Sequence, residues 1–477
     1  IEGQENLKGY ITKFYKELFG EPEESLLTQN KEEIEDIQQV SETENALLTQ
    51  NKEEIEDIQQ VSETENALLI VLFTEEEIKE VVFQIEHNKA PSPDGFPAEF
   101  YQKFWDVIKN NLLCMFHDLH KGGLPLFSLN FGITTLIPKV QEANVIQKYR
   151  PICLLNMIAT IRLNRIADNI VSPTQTAFMR GRNILEGVVI LHETIDELSR
   201  KRLSGVILKI DFEKAYDKVK WPFLFQTLRM KGFSLKWISW VKSFIMGGSV
   251  AVNVNDDVGK LFQTKKGLRQ GDPLSPILFN IVADMLVILI NRAKEHGQVS
   301  GVVPHLIDGG LSILQYTDDT IIFMENDLEK ARNMKLLLRA FEQISGLKIN
   351  FHKSELLCFG NAQDSLESYL ELFGCKHGDF PIKYLSLPIH FKKLSNSDWK
   401  ITEERVEKRL ASWKGKHLSI GGRLTLSNSV LSGLPKYIMS FFAIPKGKGM
   451  RARRSTALLN ELSYASPRIK GALGSMI

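Results

Sequence analysis

Ile313-Leu314-Gln315-Tyr316-Thr317-Asp318-Asp319-Thr320-Ile321-Ile322-Phe323-Met324 is a pair of short apolar runs bent about two aspartates. The run from Leu311 to Tyr316 leads in and Ile321 to Phe323 leads out, which predicts a β-hairpin turning at Asp318-Asp319. Asp is a common turn residue because its carboxylate bonds its own backbone, so the stretch alone is also an ordinary turn. The other reading is that the two carboxylates are kept for a divalent cation. Adjacent carboxylates repel, more so on the floor of a low-dielectric cleft, and a bound Mg²⁺ reverses the sign of that problem. A third carboxylate on a neighbouring strand would decide between the two.

About a hundred residues upstream, Val206-Ile207-Leu208-Lys209-Ile210 is a β-branched, apolar run that ends at Asp211. One strand delivering an Asp at its end and a hairpin delivering two is the layout of a two-metal phosphoryl-transfer site. In such sites the ions lie about 3.5–4 Å apart and clamp the attacking and leaving oxygens. Mg²⁺ suits the role because it binds through one or two carboxylates together with substrate phosphates. Further upstream, Ile133 to Lys139 reads as a strand ending in a basic residue, and Lys148-Tyr149-Arg150-Pro151-Ile152 follows soon after. Lys139 and Arg150 on neighbouring strands can grip a triphosphate, Arg through a bidentate fork and Lys as a point charge; taken singly they are ordinary surface charges. Lys266 to Pro276 is a Gly- and Pro-bearing loop before a long apolar helix from Ile277 to Ile290. Such a loop at a helix start allows close approach to phosphate or base.

The chain of 477 residues is 43% apolar and 25% charged, the composition of a globular protein with ample core, and its length suggests two or three domains. Cys114, Cys153, Cys358 and Cys375 form no CxxC pair, which argues against a zinc site or disulfide framework and for a reduced, intracellular setting. No run is expected to span a membrane. The sequence begins at Ile1, as a piece of a longer product would.

Thr-Gln-Asn-Lys-Glu-Glu-Ile-Glu-Asp-Ile-Gln-Gln-Val-Ser-Glu-Thr-Glu-Asn-Ala-Leu-Leu occurs twice without change, from Thr28 to Leu48 and from Thr49 to Leu69. Each copy carries six acids and one lysine, so without both copies the net charge of +1 becomes +11. A basic body behind an acidic leader suggests an anionic partner such as nucleic acid, though a mildly basic solvated surface gives the same balance. The 21-residue period equals three heptads, yet no sustained apolar seam runs through it. The repeat reads as a duplicated surface helix or linker with no function of its own. After it, Thr74-Glu75-Glu76-Glu77 is a capping-box pattern, with Ile78, Val81, Val82 and Ile85 on one apolar face. Pro97 opens a second predicted helix with Phe100, Phe104, Trp105 and Ile108 on its buried side.

Taken in order, LIPK (136–139), KYRPI (148–152), QTAFMRGRNI (175–184), KIDFEKAYDKV (209–219), GLRQGDPLSP (267–276), YTDD (316–319) and GLKINFHKS (346–354) resemble the reverse transcriptase of non-LTR, LINE-type retrotransposons, those of plants above all. APSPDGFPAEFYQKFW (90–105) and YLSLPI (384–389) match flanking blocks, and the resemblance covers about residues 73 to 445. It implies an α+β right-hand polymerase: an antiparallel palm sheet with packed helices, fingers before it and a thumb after it. The chain then divides into an acidic helical leader (1–72), a helical extension (73–119), fingers and palm (120–389), a thumb-like helical region (390–446) and a basic tail outside the family pattern (447–477).

The resemblance also implies roles. Asp211, Asp318 and Asp319 match the catalytic metal-binding triad, and the Phe212 carbonyl a further metal ligand. Lys139 and Arg150 match residues on the incoming triphosphate, and Gln270 one lining the nucleotide pocket. Tyr216 matches the aromatic gate that excludes a 2′-hydroxyl, and Lys353 a cation near the pyrophosphate. Tyr316 matches a residue packed beside the aspartates. The cofactor is two Mg²⁺ ions, with Mn²⁺ as a substitute. The partners are an RNA template, a DNA primer and dNTPs, with no membrane, and the place of action is the nucleus.

The sequence departs from the pattern at Thr317, where Ala is usual and a β-branched residue suits a strand, and at Ser92 and Ser386, where Gly is usual. It has only Met-Ile-Ala-Thr-Ile between Asn156 and Arg162, where the family has a longer basic segment. By this resemblance the sequence is expected to be a piece without the family's endonuclease, which lies upstream of the polymerase. The basic tail, with Arg451, Arg453 and Arg454, reads as a frame or splice change, or as a nuclear address. Two functions follow: an RNA-directed DNA polymerase, or a decayed remnant that at most binds nucleic acid.

Overall fold

The computed structural model describes residues 4–20, 58–84, 98–122, 132–138, 149–152, 157–246, 249–254, 257–260, 262–392, 399, 404, 437 and 440–442; for the first two strands it describes the backbone alone. Of the sequence expectations, Lys139, Ser92, the first copy of the repeat and the tail from 447 lie outside these residues, as do most of the thumb-like region and the side chain of Arg150.

Twelve strands are described: β1 Gly132–Pro138, β2 Tyr149–Ile152, β3 Gly205–Ile210, β4 Ser249–Val254, β5 Asp257–Val258, β6 Phe262–Gln263, β7 Ile313–Tyr316, β8 Asp319–Met324, β9 Glu355–Phe359, β10 Lys376–His377, β11 Ile382–Tyr384 and β12 Leu387–Ile389. The chain separates into two compact units, residues 1–187 with 200–378, and residues 188–199 with 379–477.

In the first unit the central sheet runs β10-β9-β3-β8-β7. β3 is the middle strand, buried on both faces, which is why its sequence is a continuous apolar run and not an alternation. It pairs antiparallel with β8 (Ile210↔Thr320, Val206↔Met324) and with β9 (Leu208↔Leu356). The expected antiparallel palm sheet is present, with one exception: β10 joins β9 in parallel. The helix Ser275–Glu295 belongs to the same core, with Leu278, Phe279, Ile281, Val282, Leu286 and Ile290 nearly inaccessible. By length and composition this helix could cross a membrane, contrary to the expectation that no run would qualify, but most of it is buried inside the protein. Helix Leu328–Ser345 buries Ala331, Met334, Leu338 and Phe341, spaced three and four apart. Its N-cap Asp327 accepts from the amides of Glu329 and Lys330, and Gly346 (φ +79°) closes it. A side chain at Gly346 would meet the Lys218 carbonyl at 2.3 Å, so only glycine fits there.

A second sheet runs β2-β1-β4-β5, with β6 also on β4. β1 and β2 are antiparallel neighbours, Ile137 opposite Arg150 and Pro138 opposite Tyr149. The backbone that bears Arg150 therefore lies beside the end of the strand that precedes Lys139. Helix Gln4–Leu18 packs Ile11 on Val250, Val252 and Phe262.

The second copy of the repeat is not a detached surface element. Ile58, Val61 and Leu69 belong to the main core. Ser62 caps helix Glu63–Ile70 with a complete capping box. The Val61 amide donates to the Lys231 carbonyl (2.9 Å), and Asn66 bonds the Gly232 carbonyl and the Ser234 amide (2.7 Å each). Arg162 closes the junction. Buried, it donates to the carbonyls of Leu69 (3.0 Å) and Val71 (2.7 Å), pairs with Glu77 (2.6 Å) and lies 3.8 Å over the Phe73 ring. Glu77 is thus spent on Arg162, and only half of the expected capping box at Thr74 remains, the Glu77 amide donating to the Thr74 hydroxyl at 3.2 Å. Ile78, Val81 and Val82 are buried as expected. The next helix is broken at Phe104, which is exposed while Trp105 is buried; the sequence reading had both on the inner face.

Candidate active site

β3 ends at Ile210, opposite Thr320, so Asp211 emerges beside Asp319 on the adjacent strand. β7 and β8 form the expected hairpin, but its turn lies one residue earlier than expected: Tyr316 pairs with Asp319, the first residue of β8, and the two loop residues are Thr317 and Asp318 and not Asp318 and Asp319. All three carboxylate residues are exposed at this end of the sheet. Protein around Asp211 still strips enough water to raise its pKa; Lys353 opposes this and the Asp318 charge adds to it. Asp319 is raised by burial first, then by Asp318 and by Asp211. Tyr216 is raised by burial and by the Asp318 charge, and Tyr316 by burial and by Asp319. The three aspartates, both tyrosines and Lys353 therefore share one electrostatic neighbourhood.

Among the described residues, no three His, Cys, Asp or Glu side chains stand close enough to hold an ion as they are. The convergence expected from sequence is met by the strand ends and not by the carboxylate tips, whose like charges favour separation. The donor set still fits a hard cation: three carboxylates, two of them raised in pKa by burial first and by the Asp318 charge as well, and a main-chain oxygen close by. In the bridge of Phe212 to Ile349 the bonds run from Glu213 N to Lys348 O (2.9 Å) and from Asn350 N to Asp211 O (2.8 Å). The Phe212 carbonyl is left outside both.

Lys353 closes a 3₁₀ turn, Phe351–Lys353, capped by Asn350. Ser354 fastens that turn to the end of β3: its buried hydroxyl accepts from the Asp211 amide (3.2 Å) and donates to the Asn350 carbonyl (2.9 Å). Tyr216 stacks on Phe279, 4.6 Å between centroids and 12° between planes. The GLRQGDP loop zips onto the same segment, with the Leu268 amide on the Tyr216 carbonyl (2.7 Å) and the Gly267 amide on the Val219 carbonyl (2.8 Å). Gly267 has φ +85°, and a side chain there would meet the Asp217 carbonyl at 2.6 Å. Gln270 donates to the buried Asp217 carboxylate (3.2 Å) and is thereby held on the Tyr216 side of the site.

One departure takes a different meaning in the structure. Thr317 is not in a strand; it occupies the first loop position at φ +52°. A β-branched residue there is an outlier costing about 1–2 kcal/mol. Its amide donates to Oε1 of Gln175 (2.9 Å). Gln175, Ser354 and Asn350 were not singled out by sequence reasoning; the signal was their place inside the QTAF and GLKINFHKS blocks.

The sequence pattern of the reverse transcriptase (RNA-dependent DNA polymerase) family matches residues 137–389, which include every one of these site residues. The chain belongs to that family. Over 373 residues it is 28% identical to a transposon TX1 uncharacterized 149 kDa protein of Xenopus laevis, a match covering 75% of this chain and 28% of that one. It is 26% identical over 290 residues to a retrovirus-related Pol polyprotein from the type-2 retrotransposable element R2DM of Drosophila melanogaster (59% and 26% covered). The RNA-directed DNA polymerase from the mobile element jockey of Drosophila funebris is 24% identical over 306 residues (61% and 32%). The chain thus carries the reverse transcriptase domain of a non-LTR retrotransposon, and the matched part spans about a quarter to a third of these relatives. The mixed helices and sheet of the matched domain are those of a right-hand polymerase fold.

Proposed function

We propose that this domain is an RNA-directed DNA polymerase that extends a DNA primer on an RNA template with dNTPs. The observation that carries the reading is that the end of β3, which leads into Asp211, lies beside the hairpin turn that bears Asp318 and Asp319, with the three carboxylates in one electrostatic neighbourhood. Asp211, Asp318, Asp319 and the Phe212 carbonyl would hold two Mg²⁺ ions, or Mn²⁺ in their place. Bound there, the ions supply a lowered pKa for the primer 3′-hydroxyl and charge neutralisation for the triphosphate. The chain's own residues do the rest. Tyr216, backed by the Phe279 ring, walls the side of the site near Asp318 and leaves no room for a 2′-hydroxyl. Gln270, restrained by Asp217, lines the nucleotide pocket. Lys353 offers a cation, or a proton, to the departing pyrophosphate. Lys139 and Arg150 grip the triphosphate from the β1–β2 side. We further infer derivation from a plant LINE-type element that works in the nucleus, from the motif blocks and the basic body.

Primer extension on poly(rA)/oligo(dT) with Mg²⁺ tests the reading. Asp318→Asn is expected to abolish dTTP incorporation. Equal incorporation by the parent chain and the variant, or none by either, rejects it and leaves only a nucleic-acid-binding remnant. Tyr216→Ala is expected to raise rNTP use relative to dNTP about ten- to a hundredfold.

A further inference from the structure

We propose that Gln175 is the positioning residue of the turn that carries Asp318 and Asp319; its functional side rests on the reading of that turn as the metal-binding element. The backbone of residues 174–176 runs along the free edge of β7. The Gln315 amide donates to the Thr174 carbonyl (2.9 Å) and the Thr176 amide to the Gln315 carbonyl (3.1 Å), with Gln175 bridged to Gln315. From that edge the fully buried Gln175 side chain turns back toward the loop. Its Oε1 accepts from the Thr317 amide (2.9 Å) and from the Ala177 amide (3.3 Å). Both neighbours are N–H donors, so the oxygen and not the nitrogen of the side-chain amide must face them.

The bond falls where the turn has most need of it. Thr317 is buried and lies in a left-handed conformation that a β-branched residue resists. Without an acceptor its amide would be orphaned, and the loop would have every reason to relax toward ordinary φ, swinging the next two residues with it. The other end of the clamp is anchored in the core: Asn280 Nδ2, on helix Ser275–Glu295, donates to the Ala177 carbonyl at 2.6 Å. The long helix that follows the RQGDP loop is thereby connected through Ala177 and Gln175 to the aspartate turn. Gln175 touches no reacting atom on this account. It sets where the carboxylates begin.

Hydrogen exchange of the Thr317 amide provides a test that needs no activity. Gln175→Met, close in shape but lacking the acceptor, is expected to speed that exchange at least tenfold while Ile321 and Ile322 in β8 keep parental protection. Gln175→Glu retains an acceptor oxygen and should hold exchange near the parental rate. Unchanged exchange in the Met variant, or equal loss in both, overturns the proposal. If Gln175→Met does not fold, the comparison rests on Gln175→Asn, whose shorter arm should give the same selective loss. In primer extension, Gln175→Met should lower kcat about tenfold with little change in dNTP KM. The loss should shrink to within threefold when Thr317→Gly removes the backbone strain. Selective loss of Thr317 protection with unchanged kcat would remove the positioning role alone. Failure of incorporation by the parent chain would instead reject the polymerase reading and leave the exchange result standing.

Discussion

Two hairpins invite comparison. β7–β8 and β11–β12 each turn on two residues, Thr317-Asp318 and Leu385-Ser386, and each is closed by a tyrosine on the incoming strand, Tyr316↔Asp319 and Tyr384↔Leu387. Each also puts non-glycine residues at positive φ: Thr317 at +52° in the first, Leu385 at +47° and Ser386 at +68° in the second. Two-residue turns of this hand ordinarily use glycine or asparagine. The two are braced differently. In the first, the Gln175 side chain accepts from the strained residue's amide; in the second, the Tyr437 hydroxyl donates to the Leu385 carbonyl (3.0 Å). They also end differently: the first presents Asp318 and Asp319 beside a third strand's aspartate, the second the exposed Ser386 and the buried Leu387. Turn geometry is therefore common property, and chemistry comes from what the turn displays and what stands next to it.

The largest expected effect would separate display from geometry. Asp319→Asn should cut nucleotide incorporation by about 10³-fold or more, since it deletes a charge placed for the transition state. The unfolding temperature should not fall. Burial and the Asp318 charge hold the Asp319 carboxyl above its ordinary pKa, so the ionised form weakens the apo protein at neutral pH. A clear drop in melting temperature would mean that this turn, like that of β11–β12, is merely structural. The brace of the second hairpin is tested by Tyr437→Phe, expected to cost about 1 kcal/mol in denaturant unfolding of that unit. Ser386→Gly should stabilise by about 0.5–1 kcal/mol, strain relief exceeding the entropy of a new glycine. No gain there would show that the β11–β12 turn is not strained.

The smallest effect concerns the support beneath the first hairpin's site. Buried Glu342 accepts from the Ile349 amide (2.5 Å), next to the bridge to Phe212, and its burial raises its pKa against the pull of that bond and of Arg339. A carboxyl raised on folding contributes stability below its unfolded pKa and loses it as pH rises through the folded value. Glu342→Gln keeps the acceptor, so it should be slightly more stable than the parent at pH 7 and equal to it by about pH 4. Chemical denaturation across that range measures the difference.

The palm was legible because its signals are local. β3 is an apolar run rich in β-branched residues, and the Asp-Asp pair is flanked by two short apolar runs, so the identity of these strands follows from local composition. The family blocks then supplied Tyr216, Gln270 and Lys353. What sequence could not give was pairing between distant side chains. Nothing near Gln175 announces a bond to Thr317, and nothing near Ser354 announces one to Asp211. Thr317 was misjudged because position in a pattern does not reveal φ. Phe104 was misassigned because a helical stripe was extended across a break. The repeat reads as a surface linker because its acidic composition hides the three apolar residues, Ile58, Val61 and Leu69, by which one copy is anchored.

That anchor has a consequence for how such an element can change. Arg162 grips Leu69 together with Val71, and Val71 belongs to a continuation, Ile70-Val71-Leu72-Phe73, that follows only the second copy. Loss of either 21-residue copy leaves the same polypeptide, with the surviving one still running into that continuation. A chain with one 21-residue copy more or fewer would therefore carry the same residues into the Arg162 seam, which ties the seam to the junction with Ile70-Val71-Leu72-Phe73 and not to the number of copies before it.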